Sequence, residues 1–172
     1  FGVRPGTLEA HAFTFLDWTT YFETMPNDKI DLALRLESNR MANSRFDRDE
    51  VASERSVIIS ERQGSENEPL FRLSEEIQAA AFRVHPYHHE IIGDMADLHS
   101  IQRDDLHNHY QTYYAPNNAV LTIAGDFETE QMLNRIKELF EEIPSKPPPP
   151  RVARLEPSQS VERRLTVEGP GE

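Results

Sequence analysis

Glu54 and Glu61 are the residues whose type and spacing first suggest chemistry. With Val51 and Ile58 they follow one another at steps of three, four and three residues, the spacing of a single stripe on an α-helix. If that stripe is buried, each carboxylate costs several kcal/mol unless it is paired, hydrogen-bonded or bound to a cation. One reading is therefore a metal ligand with a second carboxylate two turns away that orients the first ligand shell. The plainer reading is a solvated acidic face, since Arg55 and Arg62 directly follow the two glutamates.

These residues require a helix, and the sequence supplies its signals. Asp47 followed by Glu50 reads as a capping box, so a helix is expected from Asp47 to Glu66. Before it, residues 1–8 read as a loop around Gly2, Pro5 and Gly6. The aromatic and threonine-rich run Ala10–Met25 favours one or two strands, with Phe13, Phe15, Tyr21 and Phe22 as core or sheet packing. Ile30, Leu34 and Met41 predict a helix that Asn43–Phe46 breaks.

Downstream, Leu70, Leu73, Ile77 and Ala81 form a second amphipathic stripe. His85, His88, His89 and Glu90 invite a metal reading, but Pro86 interrupts them and adjacent histidines point in different directions, so a turn feeding a short helix is expected. A helix runs through Ile101, Leu106, Tyr110, Tyr113 and Tyr114 to Pro116, with His107 and His109 on its surface. Ala119–Ala124 predicts a buried strand, and Thr129–Phe140 another helix. The Gly125-Asp126 pair at that junction is too little to claim a phosphate site. Pro144 and Pro147–Pro150 read as a stiff extended linker, and residues 161–167 alternate as a half-exposed strand does.

The chain has 172 residues and a net charge of −12, which disfavours nucleic acid and anionic membranes as partners and favours cationic peptides. A hydrophobic share of 37% argues for a packed core rather than disorder up to about residue 143. There is no cysteine, so disulfides and thiolate metal sites are excluded and the compartment is unreadable, cytoplasmic or periplasmic if the source is bacterial. No apolar run reaches the length of a membrane span.

In order, residues 6–143 resemble the zinc metallopeptidase family that includes pitrilysin, insulin-degrading enzyme and the mitochondrial processing peptidase, in its bacterial type. The run AHAFTFLDWTTYF is similar to that family's Asn-Ala-x-Thr strand and Thr-x-Tyr segment. LRLESNRMANSRFDRDEVASERSVIISER resembles its Glu-x-x-Arg-Met helix and the following helix with two glutamates. HPYHHEIIG, YYAPNNAVLTIAGDF and the proline-rich exit fall in the same order.

The resemblance implies an α+β fold, an antiparallel or mixed sheet with helices packed on one face. It implies zinc-dependent endopeptidase action on peptides or unfolded segments, with zinc held by an inverted His-x-x-Glu-His motif and a distant glutamate. By position Glu61 is that distant metal ligand and Glu54 the supporting carboxylate. His11, Ala12, Phe13 and Thr14 form the edge to which an extended substrate adds. His11 departs from the family's asparagine, which is expected to shift substrate preference or make binding depend on pH.

His-x-x-Glu-His itself is not present in the sequence. The expectation is that residues 1–143 are the C-terminal part of a catalytic domain, 144–160 a linker and 161–172 the first strand of a related, non-catalytic domain, with the chain inactive alone. The alternatives are a non-catalytic structural or substrate-holding subunit of the family, and an acidic peptide-binding module.

Overall fold

The structure, a computed structural model, describes residues 9–169; the loop expected over residues 1–8 and the last three residues lie outside the described residues. Two units emerge, one running to Arg45 and resuming over Asp104–Pro149, the other Phe46–Arg103 and from Pro150 on. The fold is α+β, as expected.

In the first unit the aromatic run forms two strands, β1 (Glu9–Thr14) and β2 (Thr19–Thr24), paired antiparallel with His11 opposite Phe22 and Thr14 opposite Thr19. The Phe15 N–H donates to the Trp18 carbonyl at 2.8 Å and closes the turn. Alternation sorts the side chains. Phe13 packs edge-on against Trp18 and Phe22, and His11 stacks on Phe22. The aromatics do serve as sheet packing, but not as core: Phe13, Phe15, Trp18 and Phe22 are each 41–55% exposed.

Helix α1 (Ile30–Asn43) follows, with Leu34 buried. The next helices of this unit are α5 (Arg103–Tyr113) and α6 (Thr129–Phe140). Tyr110 on α5 is buried, and its hydroxyl donates to the Met41 carbonyl at 2.6 Å, lies 3.0 Å from the Arg40 carbonyl and accepts from the Ser44 N–H at 3.3 Å. The phenol proton thus caps the Met41 carbonyl, one of those that the last turn of α1 leaves without a helical partner, while the Arg40 carbonyl accepts from the Ser44 hydroxyl at 2.7 Å. Arg135 on α6 reaches Asp31 on α1 at 2.5 Å, and Met132 is buried.

The buried strand expected over Ala119–Ala124 does not form. The segment belongs to no ladder, and Val120 is 93% exposed. An apolar run becomes a strand only when a neighbour takes its N–H and C=O groups, and among the described residues none does.

The second unit contains α2 (Arg48–Ser65), α3 (Pro69–Ala81) and α4 (Met95–Ser100). Asp47 caps α2 by accepting from the Asp49 N–H at 3.0 Å. Phe46 precedes it at φ 55°, a left-handed conformation that costs a non-glycine residue roughly 1–2 kcal/mol; its carbonyl accepts from Arg103 Nε at 3.0 Å. The stripe expected to bury α3 faces outward, with Leu70 74% and Ile77 50% exposed. Phe71 packs inward instead, 4.7 Å beneath the Arg62 guanidinium. His85 leads into a 3-10 turn, Pro86–His88, and then α4, as the histidine cluster's alternative reading expected.

Residues 161–169 join no ladder, so the alternation there makes no strand among the described residues. The proline-rich stretch is fastened at both ends rather than loose. Lys146 donates to the Tyr114 carbonyl and to Gln111 in the first unit. In the second, the Glu156 carboxylate accepts from the Arg83, Val84 and His85 N–H groups at 2.9–3.2 Å. Arg163 donates to the Ala80 and Ala81 carbonyls at the end of α3. The backbone N–H groups hold the Glu156 carboxyl below its usual range.

Tyr110→Phe keeps the ring and removes only the hydroxyl that caps α1. Unfolding by urea should show a loss of about 1–3 kcal/mol; a midpoint within error of the parent would mean that the cap contributes nothing.

Candidate functional site

Helix α2 carries the two glutamates, and its orientation decides what they can do. Its inward residues are Val51, Arg55, Ile58, Ile59 and Arg62, of which 51, 55, 58 and 62 follow at steps of four, three and four. The expected stripe through Val51, Glu54, Ile58 and Glu61 is therefore rotated by one residue at each charged position. Glu54 and Glu61 are exposed, and among the described residues their carboxylates join no ion pair or hydrogen bond. The buried-stripe reading is corrected, and with it the inference that the helix needs a cation beneath it; the glutamates lie on the solvated face of the plainer reading.

The physical reason lies in the arginine side chain. Its aliphatic stem covers apolar surface while its head finds partners, so an arginine on an inward stripe needs only local anions. Arg62 is 5% exposed and reaches Glu66 at 3.1 Å and Glu75 at 2.5 Å. Burial works against its charge, but the Glu75 and Glu66 carboxylates outweigh that and hold the guanidinium above its ordinary range. Arg55 donates to the Ile101 carbonyl. Sequence reasoning missed both arginines; Arg62 could have been found from Glu66 four residues after it, the spacing of a helical ion pair, whereas Arg55, bonded to a backbone carbonyl, leaves no such signal.

With arginines as its anchors, α2 presents two unpaired carboxylates outward. Seven residues of helix rise about 10 Å, and a zinc ligand sits about 2 Å from its ion, so one glutamate as ligand with the other in support is less strained than both on one ion. Among the described residues no group of three or more His, Asp or Glu could hold a metal. The donors present fit a zinc ion only as a partial set.

The histidine cluster is occupied structurally. His85 Nδ1 accepts from the Tyr87 N–H at 3.2 Å, and His88 Nδ1–H donates to the His85 carbonyl at 2.9 Å.

In the first unit His11, Ala12, Phe13 and Thr14 lie on β1 and are all exposed. The described sheet has two strands, β1 and β2, so β1 keeps one edge outside the described ladder, and such an edge is a template for another extended chain. Near the start of α6, Asp126 accepts from Asn27 at 3.4 Å beside Asp28, Asp31 and Glu128. Four carboxylates there oppose a phosphate, in line with the weight given to Gly125-Asp126. No helix among the described residues is long and apolar enough to cross a membrane.

Comparison with known proteins adds a family. The model of the insulinase family (peptidase family M16) matches residues 6–95, and that of the peptidase M16 inactive domain matches residues 100–172. A probable mitochondrial-processing peptidase subunit beta from Arabidopsis thaliana is 29% identical over 80% of the chain and 26% of its own length. A zinc protease of Helicobacter pylori, PqqE, is 30% identical over 78% of the chain and 30% of its length. The crystal structure of a protease from Helicobacter pylori superposes with a TM-score of 0.83 at 28% identity, over 87% of this chain and 37% of that one. The chain thus spans less than a third of either curated relative.

The rotation of α2 separates two kinds of substitution. Arg62→Ala should destabilise by about 2–3 kcal/mol, because it strands Glu75 and uncovers Phe71. Glu54→Gln and Glu61→Gln, on the exposed face, should change stability by less than about 0.5 kcal/mol. Denaturant titration of the three variants checks the order; equal losses from the glutamates would restore the buried stripe.

Proposed function

Because the chain belongs to the insulinase family of peptidases (family M16), we propose that it forms part of a zinc-dependent endopeptidase acting on peptides or unfolded segments. The observation that carries this reading is the pair of exposed, unpaired carboxylates on α2, held outward by the inward-facing Arg55 and Arg62. In the proposed site Glu61 is a metal ligand and Glu54 supports it, while the His-x-x-Glu-His donors come from residues not in this sequence. Zinc, when bound, supplies Lewis acidity toward a peptide carbonyl. By itself the chain is proposed to be inactive.

The chain's own residues bind and orient. An extended peptide adds to β1 along His11–Thr14, with main-chain hydrogen bonds providing affinity and alternate side chains providing selectivity. The net charge of −12 favours cationic peptides. In domain terms we propose that residues 1–143 belong to the catalytic domain, that 144–160 link it onward and that 161–172 begin a related non-catalytic domain.

A second reading draws on the inactive-domain match over residues 100–172: a non-catalytic subunit that holds substrate. Peptide cleavage by the complete protein distinguishes the two. Expected is cleavage that a chelator stops and zinc restores, and that Glu61→Gln reduces by at least about a hundredfold without loss of folding. Undiminished activity in Glu61→Gln would remove Glu61 from the site. A peptide that binds and emerges intact with zinc present would favour the second reading.

A further inference from the structure

Behind the hairpin, on the face of β2 that carries Tyr21 and Glu23, two carboxylates compete for one arginine. Arg40 on α1 places Nη1 3.1 Å from Glu37 Oε1 and Nη2 3.8 Å from Glu23 Oε1. Its guanidinium lies 4.6 Å over the Tyr21 ring, and the Tyr21 hydroxyl is 2.7 Å from that of Tyr114. The side chains of Glu23 and Glu37 are only 10% and 20% exposed. The Arg40–Glu37 contact is an ion pair without hydrogen-bond alignment, for Glu37 Oε1 is buried and accepts no hydrogen bond among the described residues.

With both carboxyls ionised this cluster holds one uncompensated negative charge away from water. Two carboxylates that share a site resolve this by keeping one proton between them. Burial first, and then the hydrogen bond to Glu23, push the Glu37 carboxyl up to about 7. The other titratable or charged groups facing the pair are Arg40, Tyr21 and Tyr114; burial and the Tyr114 hydroxyl raise the Tyr21 phenol, so it stays neutral.

The consequence runs along the hairpin. Glu23 is on β2, and β2 is the only described strand that pairs with β1. We propose that Arg40 is a positioning residue for the hairpin and that Glu23 and Glu37 share a single proton beneath it, so that the β1 edge is best ordered for an extended peptide while that proton is held. This rests on the reading of β1 as the substrate edge.

The sign follows from linkage. A carboxyl raised in the folded state adds stability at low pH, and that stability is lost as pH rises from the ordinary carboxyl range through 7. The chemistry is therefore a pH-dependent grip on peptide substrates, weaker on the alkaline side of neutrality, set by a group that does not touch the substrate.

The test is amide exchange of the hairpin in the complete protein at pH 5.5 and 8, corrected for intrinsic rates, beside peptide KM and kcat. Between these pH values the protection of Thr19–Thr24 should fall by about tenfold, less than full burial would give because the pair is partly exposed, and KM should rise while kcat holds. Glu37→Gln, and independently Glu23→Gln, should flatten both trends. Protection that is flat in the parent, or that keeps its slope in both variants, overturns the proposal. Protection that follows pH while KM does not leaves the clamp standing and sinks the substrate-edge reading instead.

Discussion

A charge can lie inside a small protein only if its counter-charge comes with it, and the position of everything on α2 depends on that constraint. Arg62 meets it with Glu66 from the end of its own helix and Glu75 from α3. Its stem and the Phe71 ring fill the space that a leucine would otherwise take. With this pairing satisfied, the helix has a preferred rotation, and the rotation leaves Glu54 and Glu61 outside. The face on which the proposed metal ligand lies is thus set from the back, by residues on the opposite side of the helix.

How much of this could be read in the sequence depended on where each hydrogen bond ends. Helices satisfy their own backbone, so α1, α2 and α6 were legible from periodicity and capping, and the bounds expected for α6 coincide with those found. Ala119–Ala124 and residues 161–167 carry strand patterns, yet a strand needs a partner, and a pattern says nothing of whether one is present. The face of α2 failed for another reason. Steps of three, four, three and of four, three, four are both helical, and hydropathy ranks arginine beside glutamate although its stem is apolar. Spacing drew attention to Glu54 and Glu61, but family resemblance is what favours a metal role for them over a solvated face, and it is indifferent to which way they face.

The apolar surface left in view follows the same logic. Leu70, Leu73 and Ile77 on α3 and the aromatic face of the hairpin have helical or alternating periodicity without a described neighbour. They are core-type surfaces by pattern and surface by position. The hairpin nevertheless holds its shape through contacts among its own rings and through the anchoring of β2 by Tyr21 and Glu23, which makes it a stiffer element than two strands in isolation.

The first unit is discontinuous, because α1 and the tyrosine that caps it are separated by about seventy residues of chain. During synthesis from the N-terminus, α1 therefore leaves the ribosome long before Tyr110 exists to finish it, whereas α2 and α3, neighbours in sequence, can dock on each other at once. The later-closing unit must pay the entropy of a loop of that length in a single step. For a translating cell, the span between Arg45 and Asp104 is a waiting period in which the hairpin's aromatic face is present without the rest of its unit.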